Sequence, residues 1–172
     1  MKRIITTSLM LVLIAACSFA QSVVGKWKAT PETLAKIEFT EGTNMTLTLN
    51  ANKTCNMQLD IKMEQDISEG LQMIIKITAV VPYKYTASNG MFTIIETGAA
   101  PKINIDIQAP GLDKETLDVL KREIEPTMAD AKKEFANEIN EIKGAFTKDN
   151  KGPYTVSGNV LTIDGMTFTR VK

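Results

Sequence analysis

The chain has 172 residues, 44% of them apolar and 23% charged, with 20 lysines and arginines against 20 aspartates and glutamates. That length excludes two large domains, and a composition ordinary for a globular protein excludes a disordered one. The charge balance leaves no electrostatic case for nucleic acid as a partner, and the absence of histidine removes catalytic triads, His-ligated metals and the commonest general base.

Lys2 and Arg3, followed by the apolar run from Ile4 to Ala16, read as a secretory signal, because the run is too short to span a bilayer comfortably. Ser18-Phe19-Ala20 sets small residues one and three positions before Gln21, which predicts cleavage there and one domain over residues 21–172. Losing Lys2 and Arg3 leaves 18 basic against 20 acidic residues, a net charge of about −2. A domain of this size buries roughly 68 to 70% of its unfolded surface without disulfides. A competing signal overlaps the first: Ile14-Ala15-Ala16-Cys17 resembles a bacterial lipobox, in which Cys17 is lipidated and anchors the protein to a membrane. The soluble cut is the expectation, with a periplasmic or secreted product, because Phe19 and the first strand follow Cys17 with no polar spacer. Cys55 then has no internal disulfide partner, and on the apolar face of a strand it reads as a small buried hydrophobe.

From Val23 the chain alternates at period two, the pattern of antiparallel strands with one buried face. A first strand runs near Val24 to Ala29. Met45, Leu47 and Leu49 then face one way against Thr46 and Thr48, and after a turn at residues 50–53 the parity continues through Cys55, Met57, Leu59, Ile61 and Met63. Leu71 to Val81 is apolar on both faces, with Ile74 and Val80 calling for an outer cover. Asn89-Gly90 accepts the positive φ angles of a type I′ turn and predicts a hairpin between Tyr83 to Thr86 and Phe92 to Ile95. Ile103, Ile105 and Ile107 mark a further strand.

The period changes after Pro110-Gly111. Asp113 is the expected N-cap of a helical insert over about 113–143, with apolar residues at Leu117, Leu120, Ile124, Met128, Ala131, Phe135, Ile139, Ile142 and Phe146. Pro126 removes a backbone donor, which predicts two helices or one kinked helix. Its stripe is expected to pack against the barrel. Period two returns at Tyr154, with tight turns at Gly158-Asn159 and Asp164-Gly165, bringing the strands to nine or ten. An up-and-down barrel or strongly curled sheet buries so many one-faced strands without exposed edges.

The sequence has no glycine-rich phosphate loop, zinc or calcium spacing, or nucleophile elbow. Asp60, Glu64 and Asp106 fall on the polar parity of their strands, where solvated surface is the simpler reading than paired catalytic carboxylates. Gly25-Lys26-Trp27 opens the first strand, and Arg170 stands near the end of the last. This resembles the lipocalin family, in which a Gly-x-Trp opens the barrel and an arginine from the final strand lies across the tryptophan. Tyr154-Thr155-Val156-Ser157-Gly158-Asn159 and Phe168-Thr169-Arg170 resemble the endings of lipocalin-like domains of exported bacterial proteins. The resemblance implies a mainly β, antiparallel up-and-down barrel of about eight to ten strands and a structural role for Gly25, Trp27 and Arg170. The chain departs from the family pattern in placing its helix before the last hairpin instead of after the last strand.

The expected function is binding of a small apolar or amphipathic molecule inside the barrel. Met45, Met57, Met63 and Met73 share the inward parity, where flexible thioethers suit an adaptable cavity, and with Tyr83 and Tyr85 they are the expected lining of the barrel interior. With no inward charge, an amphipathic guest is expected to leave its polar end at the mouth, near Tyr83, Tyr85 or the loops. No enzyme activity, cofactor or metal is expected. The alternative is a structural or protein-interaction module of the cell envelope with a filled barrel.

Overall fold

A strand with one apolar face needs both a partner on each edge and a second surface over that face. This chain supplies both by closing its sheet on itself. The computed structural model describes residues 22–37, 42–68, 71–148 and 151–172, without the side chains at 68 and 141–148. The segment read as a signal, with Cys17 and the cleavage site, lies outside the described residues, as do the side chains of Ile142 and Phe146.

Among the described residues the strands are β1 (Gly25–Ala29), β2 (Thr43–Leu49), β3 (Thr54–Ser68), β4 (Leu71–Ser88), β5 (Met91–Glu96), β6 (Lys102–Gln108), β7 (Lys151–Ser157), β8 (Val160–Ile163) and β9 (Met166–Arg170). All pair antiparallel, and eight of them form a ring in the order β1-β2-β3-β4-β5-β7-β8-β9, with β9 returning to β1. Register follows parity. Leu49 opposes Cys55 and Cys55 opposes Tyr83, while Leu47 opposes Met57 and Met57 opposes Val81, so one set of side chains lines the inside. These residues join Trp27, Phe92, Leu161 and Phe168 in one buried apolar cluster. The expected hairpin at Asn89-Gly90 is present, with φ of 51° and 72°.

β6 lies outside the ring. It pairs with β4 from Ile74 to Val80, on the edge that β5 occupies from Tyr83 to Ser88, so β5 and β6 stand end to end along one long strand. β3 and β4, with 15 and 18 residues, run beyond the ring and with β6 form a three-stranded extension. Here the inward parity loses its cover, and Met63 and Ile67 are each 45% exposed. Ile74 and Val80 on the opposite face are half-buried.

A short helix, α1 (Pro31–Lys36), follows β1 and was absent from the sequence-based expectation. The signal for it is Thr30-Pro31-Glu32: Thr30 is the N-cap, Pro31 fits the first turn, and Glu32 is acidic beside the helix start. Thr33 Oγ1 ties α1 to the ring, donating to the Thr167 carbonyl at 2.9 Å and accepting from the Thr167 amide at 2.7 Å. Leu34 and Ile37 pack on the core cluster.

The insert is one helix, α2 (Lys114–Lys148), which continues through Pro126. Of the two alternatives the division into two helices is absent: a proline deletes only one i to i−4 bond, while the apolar stripe keeps its phase and packs on both sides of it. Asp113 is the N-cap, accepting from the Thr116 amide at 2.9 Å and the Thr116 hydroxyl at 2.7 Å. At 1.5 Å per residue α2 extends about 52 Å, enough to return from the tip of the extension to β7. It runs along the flank formed by β6 and β5. Ile139 enters the core cluster fully buried with Phe135 packed beside it, whereas Leu117, Leu120, Ile124 and Met128 are half-buried.

Candidate functional site

Three places concentrate the side chains singled out by sequence: the Trp27 and Arg170 pair, the ring interior, and the flank between β6 and α2. At the first, Trp27 and Arg170 oppose each other across β1 and β9, and the guanidinium lies 4.1 Å from the indole centroid. The expected contact is therefore present. The indole Nε1 donates to the Val23 carbonyl at 2.7 Å, and the two terminal guanidinium nitrogens donate to the carbonyls of Val24 and Ser22 at 3.0 Å each. With its polar hydrogens directed at backbone and its face on an aromatic ring, Arg170 acts as a structural clamp.

Inside the ring, four of the six expected lining residues come together. Met45, Met57, Tyr83 and Tyr85 are all at most 2% exposed and belong to the one cluster. Met63 does not join them, because β3 has passed the end of the ring where it stands, and Met73 is half-buried on the same extension. Parity assigns a face to each methionine but says nothing of what covers that face. Phe92 stacks on Tyr85 at 5.5 Å between centroids and meets Tyr154 edge to face at 6.2 Å.

The two tyrosines differ in their hydroxyls. Tyr85 donates to the Asn50 carbonyl at 2.8 Å, and the Lys53 ammonium lies 5.5 Å from its ring. The Tyr83 hydroxyl is buried and has no hydrogen-bond partner among the described residues. Its phenol is pushed above its usual range by burial, and further by the neighbouring Cys55 and Glu96. Tyr83 lies inside, in the row Leu49, Cys55, Tyr83. Cys55, a free cysteine, is 1% exposed and burial pushes its thiol up to about 12, the state of an inert side chain.

The third place is a cavity of about 350 Å³ between β6 and α2, with Ile105, Ile107 and Met128 as its apolar lining and Asp106, Asp118, Lys121, Arg122 and Glu125 around them. Lys121 reaches Asp106 at 4.0 Å. The carboxylates weighed in the sequence do not converge. Asp60 accepts from Gln58 and Thr78, Glu64 pairs with Lys62, and Asp106 accepts from Gln108. Among the described residues no group of three or more acidic or cysteine side chains is arranged to hold a metal, and no helix is long and apolar enough to cross a membrane. No model of a known protein family matches the chain, and no curated protein matches it.

Proposed function

We propose that this is an exported, lipocalin-like, non-enzymatic protein that holds a small, largely apolar molecule inside the ring. The observation that carries the reading is the Tyr83 hydroxyl, buried and unpartnered in an otherwise apolar interior. In a solid core such a hydroxyl is a liability of about 1 to 3 kcal/mol, which phenylalanine of nearly the same shape would avoid. A guest that answers it gives the group a purpose. Met45 and Met57 line the same interior, and their unbranched thioethers can repack around a guest at low cost. Eight strands give a ring wide enough either to be filled by side chains or to admit one small ligand. Native mass spectrometry of protein purified without detergent, followed by organic extraction, tests the reading. An extractable apolar molecule in stoichiometric amount is the expected result, and none from any preparation would overturn it.

The exposure of Met63 and Ile67 on the extension favours a second reading, an interaction module of the cell envelope that meets a protein partner with this face. Replacing both by serine would then abolish partner capture while leaving the content of the ring unchanged.

A further inference from the structure

Sequence reasoning puts the polar end of a guest at the rim; the interior points the other way. Resting on the ring-binding reading above, we infer that the guest is a neutral molecule carrying a hydrogen-bond-accepting oxygen, such as a ketone or ester, which it seats inward against the Tyr83 hydroxyl.

Two features select that class. The first is the supply of hydrogen bonds: Tyr85 is already committed to Asn50, so Tyr83 offers the unused donor of the tyrosine pair. The second is charge. Tyr83 opposes Cys55 on one side and the exposed Glu96 on the other, and among the described residues the buried polar side chains outside the apolar cluster are Thr33, Thr43 and Thr46, none of them charged. Of the two cations set against rings of the cluster, Arg170 is held by Val24, Ser22 and Trp27, and Lys53 lies over Tyr85, not Tyr83, from an exposed position. A carboxylate or phosphate brought to Tyr83 would be buried without a counter-charge, which costs several kilocalories per mole, whereas a carbonyl oxygen needs a single donor. The upward shift of the Tyr83 phenol reflects the same hostility to negative charge.

The test is displacement of the hydrocarbon fluorophore diphenylhexatriene by decane, 2-decanone and decanoate at pH 7.5, from the wild-type protein and from Tyr83→Phe and Tyr85→Phe variants. Tyr83→Phe should weaken 2-decanone by about 5- to 10-fold, the worth of one buried hydrogen bond, and leave decane within about 2-fold. Tyr85→Phe should leave the ketone-to-decane ratio unchanged. Decanoate should be the weakest of the three in every variant. Equal ketone affinity in wild type and Tyr83→Phe, or decanoate matching the ketone, would overturn the inference while bound fluorophore and decane still uphold a ligand in the ring. Failure of fluorophore and decane to bind any variant would bring down the ring reading and this inference together. Thermal melts of the empty proteins guard against misfolding: Tyr83→Phe should melt at or above the wild-type temperature, since it removes no hydrogen bond.

Discussion

Gly25 has no room for a side chain because of Arg170: a Cβ there would come within 2.6 Å of the guanidinium Nη1, and the backbone stands at φ +147°. Close approach and positive φ both demand glycine, so the first residue of Gly25-Lys26-Trp27 is fixed by the last strand. Gly25→Ala should destabilise the protein by about 1 to 3 kcal/mol, a fall in Tm of several degrees for a chain of this size. Arg170→Ala should cost a similar amount through the lost cation–π contact and two carbonyl bonds. If the double variant costs the sum of the two, the clash and the clamp are independent, contrary to this geometry.

Ile139 is the one described side chain of α2 that is fully buried, while Val119 on the same helix is 45% exposed. Ile139→Ala should lower stability by about 2 to 5 kcal/mol, and Val119→Ala should stay within about 0.5 kcal/mol of wild type. Equal melts for the two would mean that α2 does not contribute to the core.

Cys55 gives the alkaline side of stability a sign. Its folded value, about 12, lies above the unfolded value of 9.0, so the protonated thiol is favoured by folding. That contribution is whole below pH 9 and disappears as the pH climbs toward 12. Denaturant midpoints should therefore fall from pH 9 upward, and less steeply in Cys55→Ala. In a Cys17→Ser background, Ellman's reagent at pH 8 should leave the folded protein unlabelled and titrate one thiol after unfolding.

Asp113 gives the acid side the opposite sign. The Thr116 amide and hydroxyl hold its carboxyl below the ordinary 3.8, so its capping is present above that value and lost as the pH falls through the lower, folded one. NMR titration should place the Asp113 carboxyl below 3.8, and Asp113→Ala should remove the acid-dependent fraying of the first turn of α2.

Much of this fold was legible because β2, the first half of β3 and the second half of β4 alternate cleanly, so the buried parity of Met45, Met57 and Tyr85 follows from period two alone. The turn at Asn89-Gly90 and the cap at Asp113 are equally local. Met63 and Met73 share an error with a physical cause: each keeps its parity but lies where its strand has left the ring, and where long strands end relative to their neighbours is something no local pattern encodes. At Pro126 propensity left two helices or one kinked helix open, and packing on both sides keeps the helix single. Pro126 is exposed, so Pro126→Ala should raise Tm, by up to about 3 kcal/mol of stability. An unchanged or lower Tm would show that the backbone Pro126 imposes is required by the flank that α2 follows.

The chain leaves the ring after β5 and re-enters it at β7, and these two strands meet through three residue pairs, one of which uses Pro153, a residue with no amide hydrogen to give. β1 and β9 also meet through three pairs; each joint gains one flanking backbone bond, Tyr154 amide to Gly90 carbonyl at the first and Val171 amide to Lys26 carbonyl at the second, but only the second has Arg170 as well. The excursion that builds β6 and α2 thus begins and ends at one of the two three-pair joints of the closed sheet, the one that holds a proline and no clamping arginine. A hoop parts at its clasp: amide exchange should be faster across β5 and β7 than across β2 and β3, while β6 stays zipped to β4 by its seven pairs.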